Sequence, residues 1–217
     1  MSNSATELLK PKRSTASAKI TVPDYLVREI IDGDRWFYRG YRDVLTGLKT
    51  PEEVRTCSTY QSLVVGYVYN KLWNALEDKP YWVMSNEVGN NLSKKNKAAY
   101  DIAVFDEATL PPERISAYYA NVPPKLVIEV DVKIESESKT PEDIVWQIKT
   151  QKLLDYGVEK VIWFFTKSQR VLIARPNEDW ILADWHRDIE IWEGLTINIA
   201  QYLAKRGIKP VDIPSES

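Results

Sequence analysis

The run from Lys125 to Lys133, KLVIEVDVK, constrains this chain more than any other stretch. It is apolar enough for a buried β-strand, yet it carries two acids and an internal valine ladder. Side chains alternate with a period of two along a strand. Leu126, Ile128, Val130 and Val132 are therefore predicted to point one way, and Val127, Glu129, Asp131 and Lys133 the other. Burying a carboxylate is costly because desolvation penalises its charge. A fold that buries such residues has to supply a cation. The leading reading of the residues is a metal-dependent nuclease core.

The rest of the composition narrows the alternatives. At 217 residues the chain can bury one sizeable core. Its formal net charge of −2 argues against binding nucleic acid by bulk charge, while leaving room for a local basic groove. A single cysteine, Cys57, excludes an intramolecular disulfide and a Cys-based zinc site. A single histidine, His186, excludes an HExxH site. Without a signal-like apolar segment or a run long enough to span a membrane, a cytoplasmic location with no membrane partner is the default expectation.

Read in order, residues 1–18 are expected to be a disordered tail, and 207–217 a loose C-terminal one, around a single domain at 19–206. Pro23 suits the first turn of a helix predicted over 24–31. Asp32-Gly33-Asp34 signals a turn before an aromatic, strand-like piece, and 41–53 reads as loop. The three- and four-residue spacing of Leu63, Val64, Tyr67, Val68, Leu72 and Leu76 predicts a helix from Ser58 to Glu77. Strands are predicted at 81–88 and 98–105, then a long loop with two proline pairs, then the central strand. A helix over 143–156 is closed by Gly157, followed by an apolar strand at 158–165, a hairpin at 169–185 and a last helix at 197–206. This order predicts an α/β domain with a mixed central sheet flanked by helices.

A second acid sits in an apolar strand, Asp101 in AAYDIAVF. If the strands of Asp101 and Glu129 pair, the two carboxylates can share a divalent ion, and Mg²⁺ (or Mn²⁺) suits oxygen ligands. Acids exposed at the sheet rim would give the same spacing. In the helix, Lys149 and Lys152 fall within the arc of Val145, Trp146, Ile148, Leu153 and Tyr156, with Gln147, Thr150 and Gln151 opposite. A core-facing lysine either snorkels to solvent or meets a buried carboxylate.

Asp101, then Glu129, then a lysine resembles the layout of the PD-(D/E)XK nuclease superfamily. More closely, YLVREIIDGDRWFYRG, YDIAVF, PPKLVIEV and KTQKLLDYGVEKVIWFF, in that order, resemble the Uma-two family of restriction-endonuclease-like proteins. The resemblance covers roughly residues 23–190. It implies a restriction-endonuclease-like fold, Mg²⁺ or Mn²⁺ as cofactor, and hydrolysis of DNA phosphodiesters. Position by position, it puts Asp101 and Glu129 on the metal and gives the catalytic lysine to Lys149, with Lys133 as the alternative, because Asp131-Val132-Lys133 is itself a literal (D/E)XK. Tyr100 replaces the proline of the superfamily motif, VDVKIES replaces a small turn, and Leu153 stands where tyrosine is common. Glu87 is a further candidate acid, and Asp131 another. A homodimer would pair two active sites for cutting two strands. The competing reading is a non-catalytic nucleic-acid- or protein-binding module on the same fold. His186 reads as a surface residue, Cys57 as structural, and most tryptophans as core.

Overall fold

The computed structural model describes residues 21–131 and 134–209. The strands are β1 (Val27–Ile31), β2 (Asp34–Tyr38), β3 (Tyr81–Ser93), β4 (Asn96–Asp106), β5 (Leu126–Val130), β6 (Ile134–Ser136), β7 (Lys160–Phe165), β8 (Arg170–Ala174), β9 (Ile181–Asp184), β10 (Ile189–Trp192) and β11 (Leu195–Ile197). The helices are α1 (Tyr41–Leu45), α2 (Pro51–Arg55), α3 (Thr59–Leu76), α4 (Glu142–Tyr156) and α5 (Ile199–Lys205). The main sheet runs β6-β2-β1-β4-β5-β7-β8-β9, with β3 also on β4, while β10 and β11 form a separate pair. β5 and β7 are parallel neighbours, and α4 is the crossover between them. The result is a mixed α/β sheet with helices packed against it, as the order of elements predicts.

Local rules place the helices. Ser58 accepts from the Gln61 N–H at the start of α3, and Val64, Val68, Leu72 and Leu76 recur every four residues as its buried stripe. That stripe covers one face of the sheet through Ile102, Val104, Leu126, Ile128 and Val130. The other face is covered by α4, where Leu153 and Leu154 meet Ala98, Tyr100, Val127, Val161 and Trp163. α4 stops at Gly157, whose φ of 111° lies in the left-handed region, and a Cβ there would stand 3.3 Å from the Pro123 ring.

Several sequence expectations need correcting. The predicted helix at 24–31 is one 3₁₀ turn, Asp24–Leu26, followed by strand β1. Pairing with β2 and β4 outweighs the helical pattern. The predicted loop at 41–53 contains α1 and α2, the latter closed by a capping box between Thr50 and Glu53. The strands predicted at 81–88 and 98–105 extend into one long hairpin. The central strand ends at Val130, and the polar stretch after it supplies β6, which pairs with β2. Cys57 is exposed rather than structural. Trp36, Trp163 and Trp185 are core residues, whereas Trp73 is exposed. The two predicted tails fall almost wholly outside the described residues. No helix among the described residues is long and apolar enough to cross a membrane.

Candidate active site

β4 is the strand on which the site is built. Lys97 pairs with Asn91 of β3 on one edge and Ile30 of β1 on the other. Ile102 likewise pairs with Ser85 of β3 and Ile128 of β5. β1 and β5 therefore meet the same edge of β4 at different points, and the stretch between, Ala98 to Asp101, faces the fork where they diverge. Backbone groups in such a fork need partners other than a ladder. The Lys149 ammonium donates to Ala99 O at 2.9 Å, and the Val130 N–H donates to Asp101 Oδ2 at 2.8 Å.

The pleat is broken on three sides of this fork. In β1, Val27 pairs with Phe37 and Glu29 with Trp36, leaving Arg28 as the extra residue of a β-bulge. In β3, the register slips between Ser85 and Val88, and Asn86 and Glu87 both take positive φ, 75° and 55°. In β4, Tyr100 and Ala103 both pack towards α4, so the alternation shifts by one at Asp101. Bulges re-aim side chains that a regular pleat would send elsewhere. Here they gather Arg28, Glu29, Glu87 and Asp101 in front of Glu129.

At the centre, the Lys149 ammonium lies 2.6 Å from Glu29 Oε1 and 2.6 Å from Glu129 Oε1, with all three side chains buried. Its flanks are the rings of Tyr100 and Trp163, at 5.8 and 5.7 Å. Glu129 Oε1 thus has the Lys149 ammonium as its partner. Glu129 Oε2 and Glu29 Oε2 are buried without a hydrogen-bond donor. Nearer the surface, the Arg28 guanidinium touches Asp101 Oδ1 at 3.4 Å, Glu87 Oε1 at 3.5 Å and Glu29 Oε1 at 3.7 Å. Tyr38 donates to Glu87 Oε2 at 3.0 Å, and its ring lies 5.8 Å from the Arg28 guanidinium.

The electrostatics follow from burial. Desolvation pushes the Glu129 carboxyl up to about 8, against the pull of Lys149 and with help from the like charges of Asp101 and Glu29. Burial alone would lower the pKa of Lys149, but Glu129 and Glu29 reverse that and raise it. Lys149 is thus an ammonium at neutral pH, a donor and fixed charge rather than a base. Tyr100 is raised by burial and by Glu29 and Glu129, so its hydroxyl stays protonated.

The sequence candidates divide clearly. Asp101, Glu129 and Lys149 come together, and Glu87 joins them at the rim through Arg28. Asp131 does not share their face. Its φ of 47° turns the chain out of β5, and its carboxylate accepts from the Thr166 N–H at 2.7 Å and from the Thr166 hydroxyl. Lys133 lies outside the described residues. Lys152 reaches Asp32 at 2.9 Å, away from the cluster. Thr150, expected on the polar face, is buried and bridges Trp146 O and the Trp163 indole N–H. His186 is exposed and paired with Asp184. Sequence reasoning missed Arg28, Glu29 and Tyr38. Glu29 carries the signal already noted for Asp101, an acid within an apolar alternation, hidden by reading 24–31 as helix.

Among the described residues, no group of three or more His, Cys, Asp or Glu is arranged to hold a metal ion. Two carboxylates nevertheless suit Mg²⁺, which binds through one or two carboxylates and keeps several waters. The buried, donor-free Glu129 Oε2 fits such an ion, and so does Asp101 Oδ1, whose only described contact is the long one to Arg28.

No protein-family model matches the chain, and no curated protein does. Among solved structures, the chain is similar to the crystal structure of a candidate nuclease belonging to DUF820 from Anabaena variabilis ATCC 29413. The TM-score is 0.56 and the identity 13%, over 69% of this chain and 83% of that one. At that identity the likeness is one of fold: a large mixed sheet flanked by helices, shared with a candidate nuclease.

Proposed function

We propose that the chain is a divalent-cation-dependent nuclease that hydrolyses DNA phosphodiester bonds at the fork between β1 and β5. The observation that carries this reading is the Glu129 carboxylate, fully buried beside Asp101, with Oε1 on Lys149 and Oε2 without a partner. Lys149 meets only Oε1, so the second oxygen stays desolvated at a cost that a further cation would offset. The fold shared with a candidate nuclease supports the same reading.

Glu129 and Asp101 Oδ1 would hold Mg²⁺ or Mn²⁺, which when bound supplies Lewis-acid stabilisation and an activated water. Val130 fixes the Asp101 carboxylate through its N–H, leaving Oδ1 to face the site. Lys149 keeps Glu129 and Glu29 oriented and opposes negative charge that builds up at a phosphate in the transition state. Arg28 is the second cation of the site, closer to solvent than Lys149.

The test is Mn²⁺ calorimetry together with cleavage of plasmid DNA, on the wild-type chain, Asp101→Ala and Glu129→Ala. The expected result is near-stoichiometric binding and nicking in the wild type, with both lost in each variant. Cleavage that persists in both variants would falsify the assignment. One observation favours the non-catalytic module instead: Lys149 is wholly enclosed by Glu29, Glu129 and Ala99 O, as a purely structural ion cluster would be. Under that reading DNA or protein binding survives Glu129→Gln and needs no divalent ion.

A further inference from the structure

Resting on the cation-dependent reading above, we propose that Arg28 is a resident counter-ion of the site, which occupies the divalent-cation position and must move aside when the cation enters.

Four observations carry this. Asp101 has one oxygen engaged by the Val130 N–H, so Oδ1 is the oxygen left for a metal, and Arg28 is the group on it. Arg28 holds its acids loosely, at 3.4, 3.5 and 3.7 Å, whereas Lys149 holds its own at 2.6 Å. Charge-assisted contacts normally close to about 2.7–2.9 Å. The Arg28 Nε–H is buried without an acceptor, so this pose leaves a donor unsatisfied. Finally, a second seat already exists: Glu87 and the Tyr38 ring touch the guanidinium on its solvent side. Glu87 is 35% exposed, while Arg28 is 8% exposed.

Formal charge gives the reason for exchange. The inner acids are Glu29 and Glu129, which face Lys149, and Asp101, which faces Arg28. A divalent ion together with Lys149 neutralises those three carboxylates. Arg28 kept on Asp101 Oδ1 would hold the oxygen that ion needs and set two cations side by side in a buried site. Arg28 withdrawn onto Glu87 leaves a neutral inner cluster and a neutral pair at the mouth. The strained Asn86–Glu87 bulge is what holds Glu87 at that second seat.

Affinity for a ligand falls by the fraction of time its site is competent. Removing the competitor therefore raises affinity. The experiment titrates Mn²⁺ by calorimetry into the wild type, Arg28→Met and Arg28→Lys, each first checked for native circular dichroism. The expected result is roughly tenfold or tighter binding by Arg28→Met, with Arg28→Lys between. Equal or weaker binding by a folded Arg28→Met overturns the exchange while leaving the cation site itself intact. No Mn²⁺ binding by any folded chain overturns the exchange and the cation-dependent reading together. A second measurement needs no loss of Arg28. The signal of the buried Arg28 Nε–H, assigned by its absence in Arg28→Lys, is followed by NMR as Mg²⁺ is added to the wild type. It should shift and lose protection. A signal unchanged at saturating Mg²⁺ overturns the proposal even if Arg28→Met fails to fold.

Discussion

Glu129 is an acid that the fold holds partly against its charge, and this has a measurable pH signature. Its carboxyl titrates near 8 in the folded chain against an ordinary value of 4.5. Between those values the folded chain keeps a proton that the unfolded chain has released, so stability falls as pH rises. In EDTA, urea unfolding followed by tryptophan fluorescence should show stability declining from pH 5 to pH 8. Glu129→Gln should flatten that slope and be the more stable chain at pH 8.5; parallel slopes in the two chains would assign the titration elsewhere. Lys149 answers to the opposite logic. Removing one partner of a buried ion pair leaves the other uncompensated, which costs about 3–5 kcal/mol. Lys149→Met strands the buried Glu29 and should therefore lose that much at pH 7, and adding Glu29→Gln should recover part of it, measured as a double-mutant cycle.

At the scale of elements, the irregularities of the sheet matter more than its regular parts. Asn86 takes φ of 75°, which asparagine tolerates and a β-branched residue does not. Asn86→Val should cost about 1–2 kcal/mol, and Asn86→Gly should be close to neutral, by the same urea titration. If valine is tolerated without loss, the bulge is not a strained element. These features explain what could be read from the chain beforehand. Helices α3 and α4 were legible because Val64, Val68, Leu72 and Leu76, or Leu153 and Gly157, follow local rules. Asp101 and Glu129 were legible because an acid inside an apolar alternation stands out. Arg28 was not, since a bulge is a two-strand property: the extra residue exists only relative to Phe37 and Trp36. Asp131 was misassigned to the Glu129 face for a related reason. A single left-handed residue ends the alternation, and nothing in VDVK announces it.

At the scale of the molecule, the near-balanced charge means that attraction to DNA has to come from the local field rather than from the net charge of −2. The site is also where the two faces of the sheet and the two limbs of the fork are joined, so a ligand there acts on the whole fold. A cation bound only by the folded chain stabilises it by about 2.7 kcal/mol at a hundredfold excess over Kd. Mn²⁺ should raise the midpoint of thermal unfolding of the wild type and leave that of Glu129→Ala unmoved; an equal rise in both would mean binding elsewhere.

The fork also has a history in the making of the chain. Glu29 and Lys149 touch across 120 positions of sequence. During synthesis Glu29, Asp101 and Glu129 all emerge before the lysine that neutralises them. Until α4 arrives, closing the sheet at β4 would bring like charges together in a drying interior. The like charges oppose that closure until the crossover helix adds Lys149, a contact that no local segment can form alone. Such long-range closure is slow and leaves apolar edges open for longer. The same lysine that orders the finished site also marks the moment at which the sheet can close.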